Sequence, residues 1–303
     1  YLRGSKMLEV LTTKLMPIIL YFLIGYVLKV LKILKKEEAS ILIKLVFYLM
    51  TPAVIISSMS TMKFTGSLIY YPISAICIHI FMYFFTLFIA NRLNINEKEK
   101  VIFRGSTLIM NMTFVLPFFI VFFGEKNVYL LSLFDAGNLL MVTTVVYSIF
   151  ITNSNGVLDK LKSVLKSPLI IALIIGGILN LSGSRLPKGI EITIQNIASI
   201  TGTLIMIALG AYFTPKFSKL KLSIIVILVK MIGVLFIGFV IGKILPLDEM
   251  GKMLILLGAM SPVGNNVLSY AMVTDGDMEM ATNVISLSNV VSFVSISLLL
   301  VFI

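Results

Sequence analysis

Side chains able to do chemistry are scarce in this sequence. There is one cysteine, Cys77, so no intramolecular disulfide can form, and with a single histidine, His79, no His/Cys cluster can hold zinc. The sequence contains no HExxH, and no second mid-helix carboxylate stands ready to pair with Asp135. Neither a metal-dependent nor a nucleophile–base hydrolase can be assembled from what remains, so the chain is read as not an enzyme, with no cofactor and no metal. Charge is sparse too. Only 13% of the 303 residues are charged whereas 58% are hydrophobic, and the mean hydropathy is +1.05. Those values exclude a soluble domain and point to an integral membrane protein.

Apolar runs near the ~20 residues needed to span a bilayer recur from end to end. Ten are expected, at about 9–31, 39–60, 66–90, 101–123, 127–151, 168–183, 190–213, 221–244, 250–273 and 279–303. They lack the two-residue alternation of barrel strands, so an all-α helical bundle follows. The formal charge of +11 sits in short clusters beside the runs rather than on one folded surface with interleaved aromatics, which argues against a nucleic-acid partner. Connections after runs one, three, five and seven hold the clusters Lys29–Lys36, Arg92–Arg104, Lys160–Lys166 and Lys216–Lys221; the opposite side is poorer in Lys and Arg. By the positive-inside rule both termini are expected outside a multi-pass protein of the cell membrane.

The basic, polar segment at 152–167 divides the chain into residues 1–151 and 168–303, with five runs in each. Five is odd, so the halves point oppositely, the plan of an inverted-repeat secondary transporter with its substrate between two discontinuous helices. The fourth run of each half carries an interruption. One reads NMTFVLP, with Asn111, Thr113 and Pro117; the other reads SPVGNN, with Pro262, Asn265 and Asn266. Each proline removes an amide donor and can open a new half-helix, whose positive end suits an anion. Broken backbone at that depth must line a cavity or be buried in protein. A small organic anion is therefore the expected ligand, with Asn111, Asn265 and Asn266 as directed donors.

The residues that carry this pattern also resemble a known family. LMPIILYFLIGYVLKVLKILKKEEASILIKLVFYLMTPAV at 15–54, FDAGNLL at 134–140, LGAYFTP at 209–215 and the run from Ala259 to Ser292 are similar to the auxin efflux carrier family, including its bacterial members. The resemblance spans essentially the whole chain. It implies the fold of the bile-acid sodium symporters, with helices 1, 2, 6 and 7 as scaffold, helices 3–5 and 8–10 as transport domain, and the fourth and ninth helices crossing at Pro117 and Pro262. It also implies carriage of carboxylates, auxin-like or malate-like, by alternating access, and a homodimer formed through the scaffold. Met110, Val115 and Thr203 stand where relatives often have asparagine, glycine and proline, which implies a narrower pocket.

Within the runs, Lys230 is mid-span and must be compensated, either by the substrate or by Asp135. Asp135 and Asn138 lie one turn apart, and Asp135 is a candidate proton carrier. His79 is mid-span and reads as a hydrogen-bonded core residue, with a proton relay as the other possibility. Lys14 and Lys44, nearer run ends, are expected to snorkel. Asp277 and Glu279 read as caps or solvated ends. Two alternatives stay open: a sodium-coupled symporter of bile-acid type, and a transporter-like receptor that binds without turnover.

Overall fold

The computed structural model describes residues 8–150, 161–162, 164–184, 186–214, 218–273 and 276–302. Most of the 152–167 linker lies outside them. Among the described residues there is no strand. The helices are α1 (Leu8–Val30), α2 (Lys36–Ser60), α3 (Gly66–Ala90), α4 (Glu97–Phe123), α5 (Glu125–Phe150), α6 (Pro168–Leu181), α7 (Lys188–Tyr212), α8 (Leu220–Ile244), α9 and α10 (Met278–Val301). Two are interrupted: α4 into α4a (Glu97–Leu108) and α4b (Met112–Phe123), and α9 into α9a (Glu249–Met260) and α9b (Asn266–Val273). Eight are long and apolar enough to cross a membrane; α6 is shorter, and neither piece of α9 reaches that length.

Local chemistry sets the helix starts. Asn96 accepts the Glu99 amide while Glu99 accepts that of Asn96, a capping box that opens α4. Asp248 and Asp277 cap α9a and α10 by accepting the amides of Gly251 and Met280, each at 2.8 Å. Pro168 opens α6, where a missing amide hydrogen costs nothing. Asp277 is therefore a cap, as its position suggested.

The helices fall into two packed groups. In one, α1 lies on α7, and α2 lies on α6 and α7; in the other, α3 packs on α5 and α8, and α8 on α9a and α10. The α1–α7 contact is a backbone-to-backbone approach: a Cβ on Gly25 would stand 1.9 Å from the Ile207 carbonyl oxygen, and one on Gly210 2.0 Å from that of Phe22. Small residues at such crossings let dispersion contacts form where lipid supplies no hydrophobic driving force. In the second group, Lys219 bridges Glu99 at 2.9 Å and also Asp277, tying together the starts of α4, α8 and α10. Between the groups lies α4b, whose buried Phe114, Phe118 and Phe119 anchor the core.

Candidate functional site

The two interruptions meet. After Leu108 the chain leaves the helix at Ile109, which is extended, and re-enters it with Asn111 as the cap of α4b, its side chain accepting the Phe114 amide at 3.3 Å. In α9, Pro262 has no amide hydrogen to give the Gly258 carbonyl. Ser261 takes that carbonyl instead, through its amide at 3.3 Å and its hydroxyl at 2.6 Å, and turns the chain extended. The Asn111 amide then donates to the Pro262 carbonyl at 3.0 Å, joining one break to the other. Val263 donates to the Ser288 hydroxyl of α10 at 3.1 Å, and Asn138 of α5 donates to the Met110 carbonyl at 2.9 Å. These partners come from other helices, as broken backbone away from water requires. Gly264 lets the breaks approach, since a Cβ there would lie 2.7 Å from Ile109 Cγ2.

This geometry corrects one expectation. The second half of α4 opens at Met112, not at Pro117, which lies buried inside α4b, and that of α9 opens at Asn266, four residues past Pro262. An asparagine is a favoured cap and supplies the acceptor that a proline cannot, so Asn111 decides the start. Pro117 only leaves the Thr113 carbonyl without its helical donor.

Lys230 meets partners other than the two expected of it. It is 2% exposed, and its Nζ donates to the Ser261 carbonyl, to the Ser261 hydroxyl at 3.2 Å and to the Pro262 carbonyl at 3.2 Å. Three hydrogens meet three acceptors. It holds the C-terminal end of α9a, where carbonyls lack helical donors and the dipole is negative. Among the described residues it makes no ion pair with Asp135, whose Oδ1 instead accepts from Asn138 Nδ2 at 2.7 Å. His79 is buried behind the breaks with Nδ1 on the Ala75 carbonyl at 2.8 Å, one turn back on its own helix.

Beside the breaks lies a cavity of about 310 Å³. Its floor is Ile109–Phe114 and Gly264–Asn266, so the N-termini of α4b and α9b both face it. Asp135 and Asn138 of α5 form one wall, and Ile205 and Leu209 of α7 another. Ile43, Lys44, Phe47 and Tyr48 of α2 complete it. Of the residues singled out from sequence, Asn111, Thr113, Asp135, Asn138, Asn265 and Asn266 are brought together here; Pro117, Pro262, Lys230 and His79 are not part of the lining. Asn266 is held by a side-chain hydrogen bond with Tyr270, whose ring packs on Tyr147 and Phe150. The sequence reading missed Lys44, Phe47 and Tyr48. Their signal was present, because a lysine followed by aromatics three and four residues on puts all three on one helix face.

A family profile described as membrane transport protein matches residues 10–164. The chain belongs to the auxin efflux carrier family of membrane transport proteins. The match covers the first five helices, including the α4 break and the α5 wall of the cavity. Members of this family are transporters rather than enzymes. No curated protein matches the chain.

Proposed function

We propose that this member of the auxin efflux carrier family is a secondary transporter of small carboxylates working by alternating access. The observation that carries the reading is the pair of joined breaks, with two half-helix N-termini and the side chains of Asn111, Asn265 and Asn266 on one cavity. A carboxylate there gains roughly 0.3–1 kcal/mol from each helix end, up to ~2 when partly buried, besides the amide hydrogen bonds. In this proposal α6 and the interrupted α9 also span, making ten helices in a five-plus-five inverted repeat, with α4 and α9 crossing at the breaks. The packing supports it. Exchanging helix n of one half for helix n of the other turns the α1–α7 contact into α6–α2, and both are present. The same exchange turns α3–α5 into α8–α10, also present.

The group of α1, α2, α6 and α7 then serves as scaffold and the other group as the moving transport domain. The cavity uses the first half of α2 and the second half of α7, toward Lys36 and Tyr212, so with both termini outside it opens to the cytoplasm. Asp135 lies in its wall, where it can meet a proton or a cation on the substrate. Counterflow in proteoliposomes tests turnover: labelled carboxylate should enter faster when unlabelled substrate is inside. Saturable binding with no trans-stimulation would make the protein a receptor instead.

A further inference from the structure

The cavity has an unusual charge balance for a site that takes only an anion. Its lining holds one acid, Asp135, and one base, Lys44. Neither has an ion-pair partner within 4 Å among the described residues. Asp135 uses Oδ1 for Asn138, and its other oxygen accepts no hydrogen bond among them. A bare carboxylate in that wall would repel a bound carboxylate.

Beside the cavity, on the same Asp135, lies a niche of about 20 Å³ between α2, α4b, α5 and α6. Room of that size holds a single water-sized group. Asp135 and Thr113 border both spaces, while Thr51 and Ser132 border the niche alone. The Thr51 hydroxyl is buried with no hydrogen-bond partner among the described residues. Ser132 already donates to the Val128 carbonyl at 2.9 Å. The niche is thus bordered by Asp135, Thr51 and Thr113, three side chains whose oxygens can accept hydrogen bonds, around a space for one small group. An ammonium has three hydrogens to give.

Resting on the carboxylate-carrier reading, we propose that the substrate is a zwitterionic α-amino acid with an apolar side chain. Its ammonium enters the niche against Asp135, Thr51 and Thr113. Its carboxylate meets Asn265, Asn266 and the Lys44 side of the cavity, and its side chain lies on the apolar wall of Phe47, Met110 and Leu209. The substrate then brings the cation that Asp135 lacks, and its carboxylate is drawn toward the exposed Lys44. No proton or metal ion is required for this charge balance.

The test compares molecules that share a skeleton. Leucine, 4-methylpentanoate (no ammonium) and 3-methylbutylamine (no carboxylate) are titrated against the purified full chain in sodium-free buffer, reading thermal stabilisation and competition. Methionine, valine and phenylalanine are run with their des-amino acids in the same way. At least one amino acid should bind about tenfold or more tightly than its des-amino acid, because a site built for a polar group rejects a ligand lacking it. Asp135→Asn should reverse that order, and Thr51→Val should move the ratio toward one. Equal or tighter binding of the des-amino acids to the parent protein overturns the amino-acid assignment and leaves the carboxylate reading standing. Amino-acid binding that appears only when sodium is added also overturns it, giving the niche to the metal ion. If neither amino acids nor des-amino acids bind, both readings fall.

Discussion

Replacing Lys230 by methionine separates a lysine that serves the substrate from one that serves the backbone. The structure puts its Nζ on the Ser261 carbonyl and hydroxyl and the Pro262 carbonyl, with no contact to the cavity. Methionine fills nearly the same volume, so packing changes little. After the change the Pro262 carbonyl keeps the Asn111 amide and the Ser261 hydroxyl keeps the Gly258 carbonyl. The Ser261 carbonyl loses its only partner among the described residues. One stranded buried carbonyl costs about 1–3 kcal/mol. Loss of a donor at the helix C-terminus adds roughly 0.3–1 kcal/mol. Relief from burying a polar amine offsets part of this, so the net destabilisation is placed at about 2 kcal/mol. Melting of the detergent-purified protein should fall by roughly 4–8 °C at about 2–4 °C per kcal/mol. Because Lys230 and Asp135 make no ion pair, Asp135→Asn should not restore the stability that Lys230→Met loses. A Lys230→Met protein as stable as the parent, or one rescued by Asp135→Asn, would refute the reasoning and restore a substrate-facing or Asp135-paired lysine.

Gly25→Leu should destabilise the α1–α7 contact by about 1–3 kcal/mol or misassemble it, because backbone rather than a movable side chain occupies the space; unchanged melting would contradict the close approach. Asn266→Ala should weaken carboxylate binding while costing at most ~1.5 kcal/mol of stability for the lost Tyr270 bond; affinity equal to the parent's would remove Asn266 from the site. Pro262→Ala supplies an amide for the Gly258 carbonyl and should let α9a run on through the break, lowering transport with normal membrane insertion; undiminished flux counts against the joined breaks as the site. For the Lys219 bridge, burial pushes the Asp277 carboxyl up, but Lys219 and the Met280 amide outweigh it and hold it below the usual 3.8. Its contribution is complete above about pH 4 and is lost as pH falls through the depressed value. Asp277→Asn should flatten that acid limb of the melting curve and cost ~1 kcal/mol at neutral pH, and an unchanged acid limb would show that the bridge is not formed in solution.

Length and period made the helices legible. Each expected run is helical where described, apart from the breaks at 109–111 and 261–265, with boundaries displaced by no more than a turn or so, because ~20-residue apolar stretches have few other ways to satisfy their backbone. The location of the breaks was half legible. Pro262 marked its own break, since nothing else can stop a helix in lipid as directly, whereas Pro117 drew attention to the wrong turn. What stops α4 is a partner rather than a residue type: Asn111 can leave the helix because the Pro262 carbonyl accepts its amide. That contact joins residues 151 positions apart, and no local pattern encodes it.

The same separation explains which site residues were readable. Asn111, Asn265 and Asn266 declared themselves because an amide in an apolar run must find a partner or a cavity. Lys230 declared itself for the same reason, yet the sequence could not say whether a substrate, Asp135 or bare carbonyls would satisfy it. The carbonyls that hold it exist only once Pro262 has broken α9. Lys44 is exposed, as its nearness to the helix end suggested, and what the sequence did not show is that α7 and the two breaks place a cavity against its face of α2. Depth along a helix is written in the sequence, whereas the direction a side chain faces depends on what packs beside it. In this fold the polar side chains thus separate into those that complete broken backbone, Lys230, Ser261, Asn138 and Ser288, and those that line the cavity with hydrogen-bonding capacity unused among the described residues, Asn265, Asp135 and Lys44.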